Sequence, residues 1–179
     1  MRKLGIRVCF LLLGLLTVHC VFCCFLLSRI STIHFRLFSQ ITEGTMYLHV
    51  LICGVFLFRI CRTAVKTGRL YFRENLRYWG QLFTGICIFL LIPVHVWAFT
   101  VESGDHFFFR ELSLSGYLLE ILFVTMVYSH VMLGIPPLCV AAGWRDLPTK
   151  RTICRTICTV LYLMTLGAIT YYTRMWVIQ

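Results

Sequence analysis

Four histidines and one glutamate, His19, His49, His95, His130 and Glu120, each interrupt a long apolar stretch of this chain. An ionisable side chain in hydrocarbon must turn toward a helix interface or a cavity and find a partner there, so such residues mark candidate sites. The histidines fall one to each of four different stretches. A neutral imidazole hydrogen-bonded to a neighbouring helix accounts for any single one of them. Four on four helices describe instead a bundle interior lined by imidazoles. Facing imidazoles are how a helical membrane protein holds a haem iron between two axial ligands, with the macrocycle in the apolar gap. Glu120 is the one carboxylate inside a stretch; it reads as an interfacial side chain, as a hydrogen bond across helices, or as a proton acceptor for a quinol. His34 and His106 fall between stretches and read as loop residues.

The elements that must position these residues follow from composition. Hydrophobic residues make up 59% of the 179 and charged residues only 13%, a balance written for lipid rather than water. Five stretches approach or exceed the roughly 18 apolar residues that span a bilayer core: 8–28, 46–61, 80–101, 113–140 and 153–173, the second being the shortest. Unpaired backbone amides in lipid cost several kcal/mol each, and the stretches lack the alternation of barrel strands, so they are expected to be helices. The expected fold is an all-α transmembrane bundle of five helices forming a single domain over 1–179. No small-x-small cleavage site precedes Arg29, so the first stretch is expected to remain as a mature helix rather than be removed as a signal peptide.

The net charge of +10 is distributed as a topology signal rather than as a nucleic-acid surface. Arg2, Lys3 and Arg7, then Arg59, Arg62, Lys66, Arg69, Arg73 and Arg77, then Arg145, Lys150, Arg151 and Arg155 all fall on one side of a five-span arrangement. Only Arg29, Arg36, Arg110 and Arg174 fall on the other, with Glu43, Glu102, Asp105 and Glu111. The positive-inside rule then places the N-terminus in the cytoplasm and the C-terminus outside, in a multi-pass protein of the inner (cytoplasmic) membrane. The ten cysteines lie almost entirely within the stretches, where Cys is a small apolar residue, so a disulfide framework is not expected. There is no C-x-x-C-H for covalent haem and no paired C-x-x-C for zinc or iron–sulfur ligation.

The third and fourth stretches carry a resemblance. RYWGQLFTGICIFLLIPVHVWAF, residues 77–99, resembles a helix of the succinate dehydrogenase and fumarate reductase cytochrome b subunits, in which Q-x-x-T-G (here Gln81, Thr84, Gly85) precedes a haem-ligand histidine, here His95. SHVMLGIPPLCVAAGW, residues 129–144, resembles the next helix of that family, with His130, a glycine four residues on, and Gly143-Trp144 at the cytoplasmic end. The resemblance implies a five-helix cytochrome b with two b haems, anchoring a flavoprotein subunit and an iron–sulfur subunit on the cytoplasmic face and exchanging electrons with menaquinone or another quinone. By the same resemblance His95 would ligate the distal haem and His130 the proximal one, with His19 as the partner of His95. His49 would be the second-helix ligand, although Gly54 follows it by five residues rather than four. The family's glutamate two residues before the proximal ligand is Tyr128 here, which does not fit that proton route. Arg59 and Arg62 suit haem propionates and, equally, snorkelling at the interface.

Depth leaves the iron pairing open. His49 lies 13 residues from Arg62 and His130 lies 15 from Arg145, so each sits about 20 Å from the inner charges and the two pair. From the outer end, His49 is six residues from Glu43 and His130 nineteen from Glu111, which sets His49 nearer His95. A different class of function also fits the composition: a small transporter or channel with a histidine-lined path. That class favours internal repeats and broken half-helices, and Pro93, Pro136 and Pro137 show no repeat relation.

Overall fold

The computed structural model describes residues 2–27, 76–99, 101–103, 106–108, 112–144 and 147–177, with isolated positions between 44 and 65. The described elements are α1 (Arg2–Leu27), α2 (Leu76–Phe99), a hairpin of β1 (Val101–Ser103) and β2 (His106–Phe108), α3 (Leu114–Ala141) and α4 (Leu147–Val177). All four helices are long and apolar enough to cross a membrane, over Ile6–Phe25, Leu76–Ala98, Leu114–Ala141 and Pro148–Met175. Four crossings, not five, are therefore described, and the architecture is that of a multi-pass membrane protein. Of the expected crossing at 46–61, Tyr47, Leu51, Gly54, Val55, Phe58 and Cys61 have helical backbone and are exposed, while His49 lies outside the described residues.

The helices extend past the apolar windows because backbone hydrogen bonding does not stop where hydropathy falls. α4 opens at Leu147, six residues ahead of the expected 153, with Pro148 in a first turn that needs no N–H from it. The third stretch ends earlier than expected. α2 stops at Phe99, and Val101 enters a strand with pairings Val101↔Phe108, Glu102↔Phe107 and Ser103↔His106, a small β element inside an otherwise helical fold.

α3 is capped at both ends. Ser113 Oγ accepts from the Gly116 N–H at 3.2 Å, the expected N-cap interaction. At the other end the Trp144 N–H donates to the Cys139 carbonyl and the Gly143 N–H to the Val140 carbonyl, with Gly143 at φ 71°. This is a Schellman closure, and it requires a left-handed residue at position 143. The Gly-Trp pair that carries part of the family resemblance thus has a local structural role of its own.

α3 is the middle of the bundle and supplies much of the buried set: Glu120, Phe123, Val124, Val127, Tyr128, Ile135, Pro136 and Cys139. It packs on α2 on one side and α4 on the other; α4 in turn packs on α1, and α1 meets α3 more lightly. Lipid offers no hydrophobic drive between helices, so small residues and interhelical hydrogen bonds must hold them. The α2–α3 seam uses both. A Cβ at Gly134 would lie 3.0 Å from Gln81 Nε2, and one at Gly80 3.3 Å from Leu133 Cδ1. Large apolar side chains such as Leu11, Phe83, Leu90, Trp97 and Leu163 point outward, as a lipid-facing surface demands.

Candidate functional site

Two polar sites lie on the α2–α3 seam at different heights. The first is built on Glu120, two turns into α3 and 1% exposed. His95 of α2 donates from Nδ1 to Glu120 Oε2 at 2.8 Å, and its side chain is 28% exposed. The imidazole also stacks on Phe123, with ring centroids 4.5 Å apart and planes at 24°. Residues 120 and 123 share a helix face, so α3 offers the ring both a hydrogen-bond acceptor and a flat apolar support. Of the readings its position allowed, Glu120 takes the hydrogen bond across helices, with its side chain enclosed. Donation from Nδ1 leaves the lone pair on Nε2, the arrangement by which a carboxylate prepares a histidine to ligate a metal.

His19 of α1 completes this site. Its ring centroid is 6.5 Å from that of His95, with planes at 63°, and Cys23, one turn further along α1, places Sγ 3.5 Å from His19 Nε2. Three helices thus converge on one point, with α3 holding the acid and α1 and α2 each holding an imidazole.

The second site is His130. Its Nδ1 lies 3.0 Å from the Gln81 carbonyl oxygen and 3.1 Å from Thr84 Oγ1. The Thr84 hydroxyl donates to the Gly80 and Gln81 carbonyls at 2.9 and 3.0 Å, so its oxygen is left to accept. A carbonyl can only accept; His130 therefore carries its hydrogen on Nδ1 and its lone pair on Nε2. A Cβ at Gly85 would stand 3.2 Å from His130 Cε1, so the glycine makes room for the ring. The Gln81-Thr84-Gly85 run, which precedes His95 on α2, closes around the histidine of the next helix. Ten residues of α3 separate Glu120 from His130, about 15 Å along the axis.

The remaining expected site residues are placed as follows. His49, His34 and Arg59 lie outside the described residues, Arg62 is exposed, and His106 is in β2. Among the described residues there is no group of three or more His, Cys, Asp or Glu able to hold a metal ion alone, and their cysteines are free thiols. A further polar seam joins α3 to α4 and was not anticipated. Tyr128 hydroxyl lies 3.1 Å from Thr165 Oγ1, Thr125 Oγ1 lies 3.1 Å from the Tyr162 hydroxyl, and the two tyrosine rings are 5.3 Å apart. Hydroxyl residues at helical spacing on both stretches were its only sequence signal. No family model, curated protein or solved structure matches the chain.

Proposed function

We propose that the chain is a cytochrome b membrane-anchor subunit of a succinate:quinone oxidoreductase, spanning the inner membrane five times with its N-terminus in the cytoplasm. In this role it passes electrons between an iron–sulfur subunit and membrane quinone, and it docks that subunit and a flavoprotein through its basic face. The observation that carries the reading is the 6.5 Å separation of the His19 and His95 rings. At about 2 Å for each metal–imidazole bond, two imidazoles this close could both reach one metal ion. In this reading His19 and His95 would hold a haem iron between α1 and α2. Haem bound there would supply a one-electron carrier within the bilayer. Glu120 orients the His95 ring and fixes its tautomer, and Phe123 blocks rotation by covering one ring face. At the second level the Gln81 carbonyl and Thr84 do the same for His130, whose own partner in this reading is His49.

The test is a reduced-minus-oxidised absorption spectrum of the purified protein and its variants. Two b-type components are expected. His19→Ala and His95→Ala should lose the same one, while His130→Ala and His49→Ala lose the other. Purification in mild detergent should also retain a flavin-containing and an iron–sulfur protein. Full haem content in His95→Ala would overturn the cytochrome reading and leave the histidine-lined transporter in its place.

A further inference from the structure

At one end of the α2–α3–α4 group lies a cleft of about 330 Å³, lined by Arg77 of α2, Arg151 of α4, and Pro136, Cys139 and Val140 of α3. Its two cations come from different helices and have no ion pair with a carboxylate among the described residues. Its floor is apolar. The cleft sits where the spans begin and end, because Leu76, Ala141 and Pro148 bound the apolar windows around it. The same level is marked by Trp144, which stacks on Phe10 at 5.7 Å and carries Lys150 Nζ 5.4 Å over its ring. Aromatic and basic residues together at span ends are the signature of the headgroup layer.

We infer that this cleft binds the phosphate of an anionic phospholipid, with Arg77 and Arg151 on the phosphate oxygens and the proline-rich segment of α3 against the first part of an acyl chain. Basic pockets between membrane helices recognise phospholipid headgroups in this way, and guanidinium forks match phosphate geometry. A free phosphate ion would use the same two arginines but gain nothing from the apolar floor.

The purified full chain is placed in nanodiscs of equal parts phosphatidylcholine and phosphatidylglycerol, and lipids retained after release are counted by native mass spectrometry. Phosphatidylglycerol should be enriched on the wild type. Arg77→Gln and Arg151→Gln should each cut the enrichment roughly fivefold, whereas Arg155→Gln, outside the cleft, should change it less than twofold. The Arg77→Lys/Arg151→Lys pair, which keeps the charge but loses the guanidinium fork, should fall between the wild type and the Gln pair, separating loss of charge from loss of fold. Equal retention of the two lipids, wild-type enrichment in the double Gln variant, or loss in the Lys pair equal to that in the Gln pair would each overturn the site. Abolition of the enrichment by excess inorganic phosphate would reassign it to a free anion.

Discussion

Breaking the His95–Glu120 pair tests how the site is held, whatever it binds. Glu120 is 1% exposed and its Oε2 accepts at 2.8 Å, so removing the imidazole strands a carboxylate in a low-dielectric interior. Leaving a buried acceptor without its donor costs about 1–3 kcal/mol, and more when the acceptor is charged. Truncating the acid instead leaves a neutral N–H, which costs about 1–3 kcal/mol. His95 is 28% exposed, which sets the second loss at the low end. Interhelical hydrogen bonds within membranes average about 0.6 kcal/mol and reach about 1.7, which also draws the figures down. His95→Phe keeps the stack on Phe123 while deleting the donor, and Glu120→Gln keeps an acceptor while deleting the charge. We expect about 3 kcal/mol for His95→Phe, about 1 kcal/mol for Glu120→Gln, and a coupling of about 1.5 kcal/mol in the double-mutant cycle. Reversible unfolding in mixed micelles measures all three. His95→Phe also removes a proposed iron ligand, so the coupling and not the single loss carries the test. A coupling below about 0.5 kcal/mol, the scatter of independent sites, would refute the pair.

Gly85→Ala should destabilise by about 1–3 kcal/mol in the same assay, because its Cβ would stand 3.2 Å from His130 Cε1 in a packed seam; a neutral result would mean that the seam is looser than described. Tyr128→Phe should lose about 1 kcal/mol with the Thr165 hydrogen bond and leave any haem spectrum unchanged, so a shifted spectrum would place the tyrosine at a haem instead. Reporter fusions after Lys66 and Thr149 should read cytoplasmic and one after Gly104 exterior. An N-terminal tag and a Lys66 fusion on opposite sides of the membrane would eliminate the crossing at 46–61.

By itself the sequence determined that the chain lives in lipid and where four of its crossings run, because hydropathy accumulates residue by residue and needs no partner. It also singled out His19, His95, His130 and Glu120, since an ionisable group in an apolar run is anomalous wherever the run packs. Partner choice was decided only by the tertiary structure. Thr84 and His95 are eleven residues apart on α2, about three turns, so both look toward α3. The antiparallel register of α3 then sets His130 opposite Thr84 and Glu120 opposite His95. That register depends on how closely two helices approach, and Gly80, Gly85 and Gly134 set the approach by what they lack. Periodicity along one helix cannot express a fit between two, which is why the contact of Gln81, Thr84 and Gly85 with His130 is visible only in the packed bundle. The hairpin after Phe99 was local and legible in principle, but a span count based on apolarity runs on to Val101, its first strand residue.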